Sequence, residues 1–167
     1  DRTTAQRRPF DLQQTCGEIV ATMMNQIKNS GHTLLQDIAP GIVLNSYPGP
    51  FGQVITNLIN NALLHAFDGR SHGQMTLLAY LQNPETVCIQ FRDNGNGISE
   101  ANLGRIFDPF FTTKLGQGGS GLGLSISYNI VTSLLNGSIK VHSNIHHGTT
   151  FVLELPLLPM NSAASAE

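Results

Sequence analysis

Three amide side chains and one imidazole are spaced four residues apart in the segment FGQVITNLINNALLHAF, residues 51–67. If this segment is a helix, Gln53, Asn57, Asn61 and His65 lie along one side of it. Asparagine is a mediocre helix former, so its repetition in mid-helix needs a reason. One explanation is a solvated face. The other is a row of amide oxygens for a cation or phosphates, because a neutral hard oxygen suits Mg²⁺ when phosphates supply the charge.

A carboxylate ends the predicted strand TVCIQFRD, residues 86–93. Side chains alternate between the faces of a strand, so Asp93 shares the apolar face of Val87, Ile89 and Phe91. A carboxylate at the edge of a core needs hydrogen-bond donors, and the exocyclic amine of a flat ligand is one such donor. Residues 94–97 contain two glycines and can turn tightly against such a ligand. An ordinary Asx turn that ends the strand is the alternative.

A glycine-rich loop, residues 116–123, runs into another predicted helix. It contains Gly-x-Gly-x-x-Gly, but it does not directly follow a strand and no acidic residue lies about twenty positions on, so we reject a dinucleotide fingerprint. The Gly-Lys-Ser/Thr of a P-loop is also missing. Glycines let phosphate oxygens approach the backbone, and a helix start favours anions. Gly119, Gly121 and Gly123 therefore predict a loop that closes over a polyphosphate.

The periodicity of apolar residues predicts the elements that must position these groups. Helices are predicted over residues 11–29, 51–67 and 121–135, and strands over residues 32–39, 42–47, 73–82, 86–93, 137–144 and 148–156. Interleaved helices and strands, with strand pairs joined by short turns, predict a mixed sheet that is covered on one face by helices. The side of the central helix that faces the sheet should carry Ile55, Leu58, Ile59, Ala62, Leu63 and Ala66.

Length and composition limit the classes of function. A chain of 167 residues fits one domain, and a formal net charge of -2 indicates neither a nucleic-acid nor a membrane surface. No apolar run approaches the ~20 residues of a spanning helix. Cys16 and Cys88 are far apart without metal-like spacing, which predicts free thiols in a reducing compartment.

Five short motifs occur along the chain, in the order N-L-x-x-N-A around Asn61, Asp93-x-Gly-x-Gly, Phe107-x-x-Phe110-Phe111, Gly119-Ser-Gly-Leu-Gly-Leu124 and Gly148-Thr-Thr-Phe151. Together they resemble the N, G1, F, G2 and G3 boxes of the ATP-binding catalytic domain of sensor histidine kinases. The resemblance covers residues 10 to 156, and it implies the Bergerat fold of the GHKL superfamily. This fold is an α/β (α+β) two-layer sandwich with a mixed, mainly antiparallel sheet and helices on one face, and Mg-ATP would bind between the sheet and the helices.

The resemblance also implies roles for single residues. Asn61 resembles the asparagine that coordinates Mg²⁺, and Asn57 would lie beside the phosphates. Asp93 resembles the aspartate that accepts a hydrogen bond from the adenine amine. Phe107, with Phe110 and Phe111, would anchor a lid over residues 94–120, which we expect to be poorly ordered without nucleotide. The remaining expected ATP contacts are His65, Gly95, Gly97, Ile98, Lys114, Gly119, Ser120, Gly121, Leu122, Gly123, Thr149 and Thr150.

By resemblance, the expected activity is transfer of the γ-phosphoryl group to a histidine on a separate dimerisation domain of a two-component system, with a response regulator downstream. Related ATPases have a glutamate one turn before the metal-binding asparagine. This chain has Asn57 there, and an amide cannot take a proton from water, so hydrolysis is disfavoured. No histidine precedes an acidic residue, so the acceptor is expected outside this chain. A GHKL-type ATPase and a nucleotide-responsive interaction module remain the alternatives.

The expected organisation follows from the same comparison. Residues 1–9 would be a linker from the preceding dimerisation domain, residues 10–157 the catalytic domain, and residues 158–167 a flexible tail. The isolated domain is expected to be a cytoplasmic monomer without nucleic-acid or direct membrane contact, whether or not the full-length protein is anchored in the inner membrane.

Overall fold

A computed structural model describes residues 6–112 and 121–158 of the chain. The strands in this part are β1 (Arg8–Asp11), β2 (Thr33–Ile38), β3 (Val43–Ser46), β4 (Gln74–Asn83), β5 (Thr86–Asp93), β6 (Ser138–Ser143) and β7 (Thr149–Pro156). The α-helices are α1 (Leu12–Thr22), α2 (Met24–Ser30), α3 (Pro48–Asn61), α4 (Glu100–Leu103) and α5 (Gly123–Asn129). Two π-helical turns, Ala62–Ala66 and Ile130–Leu134, extend α3 and α5.

The main sheet has five strands in the order β2-β4-β5-β7-β6. β2 runs parallel to β4, and every other neighbouring pair is antiparallel. The predicted mixed, mainly antiparallel sheet is therefore confirmed. β2 and β3 follow each other in sequence but do not pair, because β3 pairs with β1 in a separate two-stranded sheet. The chain between β2 and β4 contains α3, and this crossover makes the first sheet contact parallel.

One hydrophobic core lies between the sheet and the helices. On α3, the predicted sheet-facing residues Ile55, Leu58 and Ile59 are fully buried. Ala62, the first residue of the π-helical turn after α3, is also buried in the core. Leu63 and Ala66 are partly buried against the core. The sheet contributes buried side chains at alternate positions of its central strands, Met75, Leu77, Val87, Ile89, Phe91, Phe151, Leu153 and Leu155.

The first strand lies partly inside the segment expected to be a linker. β1 begins at Arg8 and pairs with β3, so that Phe10 lies opposite Leu44. The Phe10 ring is buried, and its centroid lies 5.8 Å from that of Phe51 at the start of α3. The local sequence gave little sign of this strand, because its partner is more than thirty residues away along the chain.

The predicted and observed helices begin and end at different residues, and one predicted helix is interrupted in the structure. The helix expected over residues 11–29 is interrupted at Met23, whose N–H donates to Val20 O at 3.0 Å. Gly31 ends α2 with a φ of 82°, the left-handed conformation in which glycine commonly ends a helix. The helix expected over residues 51–67 begins at Pro48 and widens to a π-helical turn after Asn61. The helix expected from residue 121 begins at Gly123.

The predicted thiol state is confirmed by the structure. Cys16 and Cys88 are both free and buried. Burial raises the pKa of Cys16 to about 12, because a thiolate would lose its hydration. Within the described residues, no helix is both long and apolar enough to cross a bilayer.

Candidate functional site

Two adjoining cavities lie where α3 approaches the ends of β5 and β7. The first has a volume of about 260 Å³ and the second of about 210 Å³. Among the described residues, both are lined by Asn61, His65, Ile106, Phe111, Thr112 and Leu124. Together they form a continuous cleft within the usual size range of a small-molecule site, roughly 300–1,000 Å³.

Asp93 ends β5 in the wall of the first cavity. It lies on the face of Phe91, as the strand period predicted, and opposite Thr149 in the pairing of β5 with β7. Its Oδ1 accepts a hydrogen bond from the Gly95 N–H at 2.8 Å, which is the Asx turn considered as the alternative. The turn uses one carboxylate oxygen, so the two interpretations of Asp93 are compatible.

The pKa of Asp93 reflects this position. Burial raises it above the ordinary value, because the ionised carboxylate loses hydration. The N–H groups of Gly95 and Thr149 and the positive charge of Arg70 act in the opposite direction. A carboxylate that is partly desolvated, with donors on one side, can accept a further hydrogen bond from a ligand.

Glycines after Asp93 allow the loop to lie directly against two other segments. A Cβ at Gly95 would clash with the Ala66 carbonyl at the end of the π-helical turn. Gly97 has a φ of 78°, and a Cβ there would clash with the Asn144 carbonyl in the turn between β6 and β7. Gly97 and Ile98 line the first cavity, whereas Gly95 is not among its lining residues.

Of the two adjacent threonines that were predicted to contact ATP, only one faces the cleft. Thr149 is buried and lines the first cavity, and its Oγ1 lies 2.9 Å from Ser143 Oγ. Thr150 pairs with Arg92 and His142 on the opposite face of the sheet. Successive side chains of a strand point to opposite faces, so Thr150 lies on the face away from the first cavity, and its expected ATP contact stays a prediction.

The amide row on α3 divides into different roles. Asn61 lines both cavities, and no described residue offers its side chain a hydrogen bond. Asn57 Nδ2 donates to Gly123 O at 3.1 Å and to Ser127 Oγ at 3.0 Å, and its Oδ1 accepts from Gln53. His65 lines both cavities beyond the widened turn. The amides therefore both face the cleft and tie α3 to α5.

The three phenylalanines of the F motif separate in space. The centroid of the Phe107 ring lies 5.3 Å from that of Tyr128 and 6.3 Å from that of Phe151, and Phe107 is not among the lining residues of either cavity. Its expected ATP contact stays a prediction. Phe111 lines both cavities, with the Arg105 guanidinium 4.6 Å from its ring centroid. Phe110 is 70% exposed. A shared motif does not reveal which ring meets the core, because that depends on the path of the loop.

The glycine loop is described only at its end. Gly121 and Gly123 line the second cavity, and Gly121 O accepts the Phe110 N–H at 2.7 Å. Gly121 has a φ of 79°, and a Cβ there would clash with the Phe110 backbone. Leu122 is the N-cap of α5 and is not among the lining residues. The predicted contacts Lys114, Gly119 and Ser120 lie outside the described residues.

Sequence reasoning did not identify several lining residues, namely Ser99, Asn102, Ile106, Thr112, Leu124 and Ile145. The apolar members gave a weak signal, because an isoleucine or leucine in a loop also fits an ordinary core position. Ser99 could have been found as an N-cap, since it precedes Glu100 and its Oγ accepts the Asn102 N–H.

The polar groups of the cleft fit a magnesium nucleotide. Asp93 offers an acceptor at one end, and Asn61 offers an amide oxygen, a hard ligand, at the other. Within the described ranges, no three His, Cys, Asp or Glu side chains gather to hold a metal ion. A cation beside Asn61 would therefore take most of its ligands from phosphate and water, which is typical of Mg²⁺.

Residues 47–159 match the family described as histidine kinase-, DNA gyrase B- and HSP90-like ATPases. The chain belongs to this family. Within it, the chain resembles the ATP-binding catalytic domains of sensor histidine kinases, as the five motifs predicted.

Two similar curated proteins are a bacterial sensor protein and a bacterial kinase by name. The chain is 41% identical over 105 residues to the alginate biosynthesis sensor protein KinB of Pseudomonas aeruginosa, covering 63% of this chain and 17% of KinB. It is 32% identical over 148 residues to sporulation kinase A of Bacillus subtilis, covering 88% of this chain and 23% of that kinase. The chain thus spans less than a quarter of the length of either relative.

Solved structures show the same fold. The nucleotide-free catalytic domain of histidine kinase ThkA superposes with a TM-score of 0.81 at 24% identity, over 92% of this chain and 97% of that domain. Full-length ShkA in complex with AMPPNP superposes with a TM-score of 0.77 at 22% identity, over 91% of this chain and 31% of ShkA.

Proposed function

We propose that this chain binds Mg-ATP and donates the γ-phosphoryl group to a histidine on a separate dimerisation domain in a two-component system. One observation carries the proposal: Asp93, at the end of β5, and Asn61, on α3, line the same cavity from two different layers of the fold. A carboxylate for an amine and an amide for a metal ion, held in one cleft, match the two ends of magnesium-bound ATP.

Several residues that line the two cavities have a part in this proposal. Asp93 would accept a hydrogen bond from the adenine amine, while Gly97, Ile98 and Thr149 line the space around the base. Asn61 would contribute an oxygen to Mg²⁺, which screens the phosphate charge when bound. Gly121 and Gly123 present backbone without a Cβ at the second cavity, where the phosphates would lie.

Asn57 supports the cleft from the side, and this favours transfer over hydrolysis. Its amide is bonded to Gln53, Gly123 and Ser127, and it has no group that can accept a proton from water. Among the described residues that line the second cavity, His65 is the only titratable one. The proposed reaction therefore relies on positioning and charge screening, with the acceptor supplied from outside.

The partners follow from the proposed reaction. The acceptor would be a histidine-containing dimerisation domain of the same full-length protein, and a response regulator would receive the phosphoryl group next. ThkA has been solved in complex with the response regulator protein TrrA, which is a property of that kinase. For this chain, we propose a cytoplasmic catalytic domain that is monomeric in isolation.

The test is a transfer assay with purified components. The chain is mixed with γ-labelled Mg-ATP and a cognate dimerisation domain supplied separately, and acid-labile phosphohistidine is quantified. The proposal expects label on the acceptor histidine and none on the chain alone. Steady release of phosphate by the chain alone would favour the ATPase alternative. Binding without transfer or release would favour the nucleotide-responsive module.

A further inference from the structure

The loop that follows Asp93 is fixed by a network around Asn96, the second variable residue of Asp93-x-Gly-x-Gly. Every polar group of Asn96 is used. Its N–H donates to Ala66 O at 2.7 Å, and its carbonyl accepts the His146 N–H at 2.6 Å. Its Nδ2 donates to Asp68 O at 2.7 Å, and its Oδ1 accepts from Arg70 Nε at 2.6 Å. Asn96 therefore joins the loop to the chain after α3 and to the turn between β6 and β7.

Arg70 holds the same loop at a second point. Its Nη1 donates to Asn94 O at 3.1 Å, while its Nε bonds to the Asn96 side chain. One guanidinium thus bridges the two residues on either side of Gly95, whose N–H bonds to the Asp93 carboxylate. A planar guanidinium with donors in a fixed fork suits such a bridge better than a lysine ammonium.

The backbone around the network leaves little room for adjustment. Gly95 lies against Ala66 O and Gly97 against Asn144 O, so a displaced loop would collide with one wall or lose contact with the other. The Asp93 carboxylate is therefore held by β5 and by its own turn, while Arg70 fixes the loop residues on either side of Gly95. Burial raises the pKa of Asp93, and the positive charge of Arg70 acts in the opposite direction because it favours the ionised carboxylate.

Resting on the proposed function, we propose that Arg70 and Asn96 are positioning residues that set the selectivity for adenine. They hold the Asp93–Gly97 turn so that the carboxylate oxygen not used by Gly95 meets the exocyclic amine of the base. Neither residue lines the cleft, so they act on the ligand through Asp93.

The experiment compares two nucleotides that differ only at the amine, ATP and purine riboside 5′-triphosphate. Affinities for both are measured by titration calorimetry for the wild-type chain and for Arg70→Met, Arg70→Lys and Asn96→Ala. The wild type should prefer ATP. Arg70→Met and Asn96→Ala should lower the affinity for ATP by about 5–10-fold, which corresponds to the loss of about one hydrogen bond. The affinity for purine riboside 5′-triphosphate should change by less than about twofold. Arg70→Lys keeps the charge and should restore part of the preference.

Arg92→Met is the matched control. Arg92 lies on β5 one residue before Asp93, but it faces the opposite side of the sheet, where it donates twice to Gln90 Oε1. Like Arg70→Met, Arg92→Met removes one arginine charge near Asp93, but it leaves the network around Asn96 intact and should leave the ratio of the two affinities at the wild-type value. Circular dichroism and thermal unfolding of each variant show whether the fold is kept.

The outcomes separate this inference from the function on which it rests. If the wild type prefers ATP and Arg70→Met keeps that preference, the inference is overturned and the proposed function stands. If Arg70→Met weakens both nucleotides equally, the network only stabilises the fold, and the inference is also overturned. If the wild type does not distinguish the two nucleotides, both the adenine role of Asp93 and the inference are wrong.

Discussion

Asn57 Nδ2 on α3 lies 3.0 Å from the Oγ of Ser127, a fully buried hydroxyl on α5. The same Nδ2 also donates to Gly123 O at the start of α5. Asn57 is therefore a structural connection between the two helices that flank the second cavity. Its loss should affect both the fold and the phosphate end of the cleft.

Asn57→Ala is expected to lower the free energy of unfolding by about 1–3 kcal/mol, because Ser127 would remain buried with one partner fewer. Urea unfolding of the chain measures the change. Asn60→Ala is the control, since Asn60 is exposed on α3 and, in the part of the chain that the structure describes, its side chain accepts from Gln26 alone. Equal destabilisation by the two substitutions would contradict the connecting role of Asn57.

Asn61→Ala should leave the fold intact and weaken magnesium-dependent binding. No described residue bonds to the Asn61 side chain, so the free energy of unfolding should change by less than about 0.5 kcal/mol. Calorimetric affinity for ATP should fall about tenfold with Mg²⁺, which is ~1.4 kcal/mol, and should be nearly unchanged with a chelator present. An equal loss in both conditions would argue against a metal ligand.

Asp93→Ala is expected to abolish measurable ATP binding, because the adenine amine loses the carboxylate acceptor that lines the first cavity. Titration calorimetry with Mg-ATP measures this. The same heats and midpoint in the variant and in the wild type would refute the assignment of Asp93 to the base.

Asp93→Asn tests the cost of the buried charge in the absence of nucleotide. Because burial raises the pKa of Asp93, the native chain holds this proton more firmly than the unfolded chain does. The stability that results is present below the ordinary pKa of 3.8 and is lost as the pH rises through the native pKa. The neutral amide should therefore make the chain more stable than the wild type at pH 7, by an amount that shrinks on acidification. Denaturant unfolding at several pH values measures this, and a variant less stable at pH 7 would contradict it.

Gly95→Ala is expected to destabilise the chain by about 2 kcal/mol, because the added methyl group would meet the Ala66 carbonyl, which is backbone and cannot turn away. Thermal unfolding measures the change. Gly104→Ala is the matched control, since a Cβ there has no atom within 4 Å and the residue is not in the left-handed region. If Gly95→Ala were as stable as Gly104→Ala, the loop would not be packed against the π-helical turn that follows α3.

Local sequence patterns were sufficient for much of the site. The period of two along residues 86–93 placed Asp93 on the face of Phe91, and the helical period placed Asn57 and Asn61 on α3, because both depend only on backbone geometry within one element. The five motifs in order predicted the family that residues 47–159 match. The sequence also predicted a mixed sheet, which follows from the alternation of strands, turns and helices.

Only the tertiary structure decided which residues of these elements meet. It showed that Thr149 and not Thr150 faces the cleft, that Phe107 is partly buried against the core, and that the amide of Asn57 bonds to α5. It also brought Asn96 to Arg70, twenty-six residues earlier in the chain. Such contacts depend on how the layers close over one another, and the hydrogen bonds of a loop leave no periodic pattern in the sequence from which they could be predicted.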